Sequence, residues 1–138
     1  MKKTTGVEGA GSRAPAGTVL FEATLCSLPP TVNHFYRTAG AGKHRYKTAE
    51  GRSWQALAVA TMREANHSPD PYAGHVALEI GLTSKNRVRW DVDNRIKALQ
   101  DCLSAAGVLH DDVQVVELWA RRIFGTSEST LIRVRACD

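Results

Sequence analysis

Arg87-Val88-Arg89-Trp90-Asp91-Val92-Asp93-Asn94-Arg95-Ile96-Lys97 is the stretch on which the reading of this chain turns. Two carboxylates stand two positions apart inside a basic run, and a helical pattern with a lysine follows at once. From Asp93 to Ala106 the apolar positions Ile96, Leu99, Leu103 and Ala106 carry helical spacing, and Gly107 fits the stop. A second acidic pair, Asp111-Asp112, comes just after that helix. Upstream, His75 to Leu82 alternates Val76, Leu78, Ile80 and Leu82 on one face, the pattern of a half-buried strand. Downstream, Val113 to Trp119 reads as another strand. Acids embedded in bases point to divalent cations held beside a polyanion.

Further out, Val19 to Leu25 is a β-prone run stopped by Pro29-Pro30. Thr38 to Lys43 reads as a Gly/Ala-rich loop between Tyr36 and Tyr46. Thr48 is placed to cap a helix running from about Arg52 to Asn66, with Gly51 delaying its regular turns. Trp54, Leu57, Ala58, Thr61 and Met62 form its expected apolar face. Thr130 to Arg135 is the last strand, expected to pair with Val113–Trp119 across a turn at Gly125-Thr126-Ser127.

With 138 residues, 43% hydrophobic and 23% charged, the chain has the size and composition of one globular domain. Order is expected from residue 18 to residue 138, after a mobile, Gly- and Ala-rich tail over residues 1–17. That tail lacks the apolar core of a signal peptide, and no run approaches the ~20 apolar residues of a membrane span. Cys26, Cys102 and Cys137 show no zinc or redox spacing and read as reduced thiols of a cytoplasmic protein. Cys102, beside the apolar helix stripe, reads as a small hydrophobe.

The net charge is +4, and its placement matters more than its size. Arg37, Lys43, Arg45 and Lys47 cluster ahead of the first long helix, and Arg87, Arg89 and Arg95 flank the acids. Such excesses attract phosphate backbones, although a solvated basic loop has the same composition. Tyr36, Tyr46 and Trp90 are interleaved with these bases, as residues that stack on exposed nucleotides are. Gly40-Ala41-Gly42-Lys43 is not a phosphate loop, because Arg37 and His44 stand where that motif needs Gly and Ser or Thr.

Mg²⁺ takes oxygen ligands and is usually held by one or two carboxylates plus substrate phosphates. Asp91 and Asp93 share a side if the chain is extended there. A helix of about fourteen residues is ~21 Å long, so Asp112 reaches them only by returning along the next strand. Two carboxylates ~4 Å apart repel by about 4 kcal/mol at an effective dielectric near 20, so convergence of the three demands a positive charge. On the bland reading Asp93 is a helix N-cap, Asp111-Asp112 is loop, and Lys97 pairs with Asp93 at i,i+4. On the functional one Lys97 faces a scissile phosphate and stabilises developing charge. Sequence geometry serves both.

In order along the chain, four blocks resemble the RusA family of Holliday-junction resolvases. They are Leu28-Pro29-Pro30-Thr31-Val32-Asn33-His34-Phe35-Tyr36-Arg37, Tyr46-Lys47-Thr48-Ala49-Glu50-Gly51, Arg89 through Ala98, and Gly107 through Val116. The resemblance implies an α+β fold, a two-layer α/β sandwich with a small mixed sheet of about four strands and two main helices. It implies Mg²⁺, with Mn²⁺ a substitute, on Asp91, Asp93 and Asp112, with Asp111 a possible additional acid and Lys97 assisting catalysis. It implies a homodimer that resolves branched DNA by symmetric nicks in recombination and repair, with no organic cofactor and no membrane. Relatives are often prophage-borne. The chain departs from the family in its shorter arginine run before Asp91 and in the loop at Ala39 to Gly42. Two alternatives stand beside this one: a junction-binding protein that does not cut, and a D-x-D sugar-nucleotide transferase using Asp91 and Asp93.

Overall fold

A computed structural model describes residues 14–32, 36–39 and 44–137. The strands are β1 (Val19–Leu25), β2 (Tyr36–Ala39), β3 (His44–Lys47), β4 (Val76–Ser84), β5 (Val115–Phe124) and β6 (Ser129–Ala136). The helices are α1 (Ala49–Ala65) and α2 (Ile96–Ala105), and short 3₁₀ turns cover Val92–Arg95 and Asp112–Gln114. The main sheet has four strands in the order β1-β6-β4-β5, and β2 and β3 form a separate antiparallel hairpin. The expected α+β class, with a four-stranded mixed sheet and two main helices, is what the chain adopts.

The mixture of directions follows from one connection. β4 and β5 are parallel neighbours, and a parallel pair needs a crossover, which α2 supplies. β1 with β6 and β4 with β6 are antiparallel. The pairing expected between the last two strands does not occur. β6 turns back past the end of β5 and lies on the far side of β4, so β5 is left at the edge. For the same reason β4 is not half-buried. Val76, Ala77, Leu78, Ile80, Gly81 and Leu82 are all buried, because the strand is central. β5 extends beyond the expected run to Phe124, paired with Ser84 at its far end.

The helices begin where their caps put them. Thr48 Oγ1 accepts from Gly51 N at 2.9 Å, so α1 starts at Ala49 and Gly51 sits inside its first turn rather than ahead of it. The buried face of α1 is Gly51, Ala58, Val59 and Met62, and Leu57, expected inward, is 72% exposed. Trp54 is half-buried, packs on the core and donates from Nε1 to Ser27 Oγ at 3.1 Å. In α2, Ile96, Leu99, Cys102 and Leu103 enter the core. Gly107 follows at φ +79°, with Gly107 N to Ser104 O and Val108 N to Leu103 O closing the helix end. The expected loop from Thr38 to Lys43 is instead flanked by paired strands, Tyr36 opposite Lys47 and Ala39 opposite His44.

Of the expected tail, residues 1–13 lie outside the described residues. Residues 14–17 are tied to the body: Ala14 N donates to the Tyr72 hydroxyl and Gly17 N to Ala136 O. Among the described residues no helix is long and apolar enough to cross a membrane.

Candidate active site

Asp91 and Asp93 stand at the exposed end of the connection from β4 to α2. The chain is extended at Asp91 (φ −84°, ψ 138°) and then tightens into the 3₁₀ turn, where Asn94 N donates to Asp91 O. Neither carboxylate caps a helix, since the cap position of α2 falls on Arg95 and the side chain of Asp91 makes no capping bond. Among the described residues both carboxylates are free of hydrogen bonds and ion pairs. The N-cap role for Asp93 is therefore not what the structure shows.

Lys97 is in the first turn of α2, and its partners differ from the expected one. Nζ lies 3.4 Å from Asp101 Oδ1 and 3.3 Å from Asp112 Oδ2. Asp93 is not a partner, because it lies in the 3₁₀ turn and not one α-helical turn before Lys97. The i,i+4 pairing runs forward to Asp101 instead. The two carboxylates, Asp101 foremost, raise the Lys97 pKa above its ordinary value, against a smaller opposing effect of burial. The ammonium is half exposed and thoroughly protonated, suited to meet a phosphate oxygen.

Asp111 and Asp112, adjacent in sequence, do different work. Asp111 Oδ1 accepts from Val113 N at 3.1 Å and caps the 3₁₀ turn that leads into β5. This bond to Val113 N is the foremost reason the Asp111 carboxyl lies below the usual range. Behind it, buried Gln114 accepts at Oε1 from His110 N and Asp111 N, and donates from Nε2 to Tyr72 O and Gly74 O, at 2.7 to 3.0 Å. One side-chain amide thus satisfies four backbone groups and fixes where Asp112 emerges. Sequence reading missed Gln114, and Asp101 as well.

The flanking bases divide in the same way. Arg87 and Arg89 are exposed. Arg95 is half-buried: Nη1 donates to Pro29 O at 2.5 Å, and its guanidinium carbon lies 4.4 Å from the Trp90 ring centre. Burial lowers its pKa, with Glu128 acting in the opposite direction. The Trp90 ring also carries Arg122 at 4.1 Å, so a stacked base would share it with two guanidinium groups. Tyr46 is exposed and Lys47 ends β3. Lys43 lies outside the described residues, and of Tyr36, Arg37 and Arg45 only the backbone is described, in β2 and β3. Cys102 is fully buried and its thiol is pushed up to about 12 by burial, so it is an inert core residue.

For a hard divalent cation the donor chemistry of Asp91 and Asp93 fits. Two uncommitted carboxylates, with water and phosphate oxygens, make the set Mg²⁺ takes. Among the described residues, however, no three His, Cys, Asp or Glu side chains form a group that could hold a metal ion. Asp112 engages Lys97 instead.

Residues 27–135 match the family described as Endodeoxyribonuclease RusA. The chain belongs to this family. It is also 31% identical over 116 residues to a curated protein of Aquifex aeolicus (strain VF5), Crossover junction endodeoxyribonuclease RusA, covering 83% of this chain and 90% of that one. The activity is therefore that of an endodeoxyribonuclease, a hydrolase of DNA phosphodiester bonds. The transferase alternative falls with that membership. The match runs from the Pro29-Pro30 segment through the last strand, so it contains every described candidate residue.

Proposed function

We propose that this chain resolves four-way DNA junctions by paired nicks, as a homodimer acting inside the cell with Mg²⁺ or, in substitution, Mn²⁺. The observation that carries the metal reading is the pair of exposed carboxylates, Asp91 and Asp93, left without partners among the described residues and set between arginines. Isolated from cations, such a pair beside DNA would only repel it. Asp91, Asp93 and Asp112 are the residues proposed to hold the ion. When bound, a divalent ion supplies charge stabilisation to the attacking and leaving oxygens of an in-line displacement.

The chain's own groups do the rest. Lys97, kept protonated by Asp101 and Asp112, offsets charge that develops on the phosphate oxygens. Arg87 and Arg89 contact the backbone and set its register against the acids. Arg37, Lys43, Arg45 and Lys47 add further contacts to the DNA backbone, and Tyr36 and Tyr46 stack on bases exposed at the branch, while the Trp90 ring is already taken by Arg95 and Arg122.

The homodimer is supported by β5. It is an edge strand, and Val113, Val116, Leu118 and Trp119, at its start and along it, are large apolar residues left exposed. An open edge is a template for pairing with another chain, and exposed apolar surface along it marks an interaction site.

Nicking of a synthetic four-way junction, with and without Mg²⁺, beside a linear duplex of the same sequences, tests the proposal. Symmetric metal-dependent nicks in the junction are expected. Binding without cutting at any metal concentration would establish the non-cutting alternative.

A further inference from the structure

Asp91 is delivered by a loop, residues 85–90, outside helix and strand, whose own hydrogen bond runs from Val88 N to Asn86 Oδ1 at 3.1 Å. One side chain from another strand holds it. Arg122, on β5, donates from Nε to Ser84 Oγ at 3.1 Å and from Nη2 to Asn86 O at 3.1 Å and Val88 O at 2.8 Å. Its guanidinium carbon lies 4.1 Å from the Trp90 ring centre and 4.7 Å from that of Phe124. Arg122 thus touches residues 84, 86, 88 and 90, every second residue up to the one before Asp91. Ser84 is buried and itself donates to Asn86 O at 3.1 Å, so the anchor rests on the core. Arg87 stacks on the same Phe124 at 4.5 Å, which closes the cluster from the loop side.

We propose that Arg122 is a positioning residue for the acidic pair: it fixes the loop so that Asp91 and Asp93 present their carboxylates together to a cation. The inference rests on the metal reading above. A guanidinium is needed because the task takes several donors from one planar group that also stacks on aromatic faces; lysine offers a point charge in its place. Arg122 acts through the loop, so its loss moves the metal dependence of cutting rather than the grip on DNA. A direct phosphate contact would do the reverse, lowering affinity and its salt slope with metal dependence intact.

The test uses the full chain as Arg122→Lys and Arg122→Gln. Single-turnover nicking of a four-way junction is titrated with Mg²⁺, beside gel-shift affinity without metal and a thermal melt. Half-saturating Mg²⁺ should rise, or the saturated rate should fall, by about tenfold or more, as when residues behind metal ligands are removed, with junction affinity near that of wild type. Should Arg122→Gln not fold, Phe124→Leu removes one stacking face and leaves the three hydrogen bonds, and a smaller shift of the same sign is expected. Metal titrations that match wild type in Arg122→Lys and Phe124→Leu alike overturn the proposal, as does a loss confined to affinity. Asp91→Asn in parallel separates the two levels. If it cuts normally, the metal reading fails and takes this proposal with it. If it is dead while the Arg122 variants titrate normally, the positioning role alone is refuted.

Discussion

Lys97 Nζ and Asp112 Oδ2 are 3.3 Å apart although 15 residues separate them in the chain. The pair joins the first turn of α2 to the entry of β5, bringing the base that follows the first acidic pair onto an acid of the second. Asp101 holds the same ammonium from the helix side, at 3.4 Å. As a stabilising contact this is modest: both groups are substantially exposed, and exposed pairs contribute about 0.2–1 kcal/mol. Its interest is chemical, since it keeps a protonated amine beside the candidate metal carboxylates.

Lys97→Ala should therefore separate stability from catalysis. Loss of the two ion pairs, to exposed Asp112 and half-buried Asp101, should cost about 0.4–2 kcal/mol. If Lys97 meets the scissile phosphate, single-turnover cutting should slow by about 10²-fold or more, with junction affinity only slightly reduced. A rate within a few-fold of wild type would leave Lys97 as an ion-pair partner of Asp101 and Asp112.

Asp93→Asn should abolish cutting while junction binding is kept or strengthened. The carboxylate has no partner among the described residues to lose, so the fold should be unaffected. Removing a negative charge beside DNA phosphates does not weaken association. Gel-shift affinity beside nicking rate checks this, and equal loss of both in a folded variant would give Asp93 a role in DNA binding instead.

Legibility in the sequence followed the range of the interactions. The four strands of the main sheet, both main helices, the Thr48 cap and the Gly107 stop rest on local spacing and were readable, whereas the short β2–β3 hairpin, in a stretch that reads as Gly/Ala-rich loop, was not. The strand order was not, because whether β6 pairs with β5 or with β4 depends on a crossover that no local pattern records. The acids were legible as a local pattern of carboxylates inside a basic run, but the partner of Lys97 depended on a single turn being 3₁₀ rather than α. Arg122 was illegible for a different reason: its partners Ser84, Asn86, Val88 and Trp90 lie more than thirty residues away, and two of them are backbone carbonyls. Gln114 left a local trace, since Asp111 and Gln114 have capping-box spacing, but its bonds to Tyr72 O and Gly74 O left none.

On the face of the sheet away from the helices, Glu79 is held by Arg133 at 3.0 Å and Arg135 at 2.9 Å, and Arg133 reaches on to Glu22 at 3.1 Å. The bond from Arg133 is the foremost cause of a lowered Glu79 pKa, against a partly opposing effect of burial. A carboxylate with a depressed folded pKa contributes stability that is present above its ordinary value, 4.5, and is lost as pH falls through the folded value. Glu79→Gln should then lower the melting temperature near neutral pH by the equivalent of no more than about 1 kcal/mol. The gap from wild type should close as the pH is taken below 4.5. A gap that stayed constant through acid would assign the loss to packing.

Gln114 should prove the most demanding residue near the site. It is buried, and its amide serves two donors, His110 N and Asp111 N, and two acceptors, Tyr72 O and Gly74 O. Gln114→Ala strands all four, and with about 1–3 kcal/mol for a stranded buried group, partly relieved by water, a total loss of about 2–4 kcal/mol is expected. Gln114→Glu is the sharper probe. The carboxylate can still accept from His110 N and Asp111 N, but its other oxygen then faces two carbonyl oxygens with no proton between them. Burial and those carbonyls should raise the pKa of the introduced acid in the folded state. The protonated form restores a donor to one carbonyl, so the deficit relative to wild type should be largest above that raised pKa and shrink as pH falls through it. Chemical denaturation across a pH series measures this directly. A pH-independent deficit would mean that the carbonyls of Tyr72 and Gly74 find water once the amide is gone.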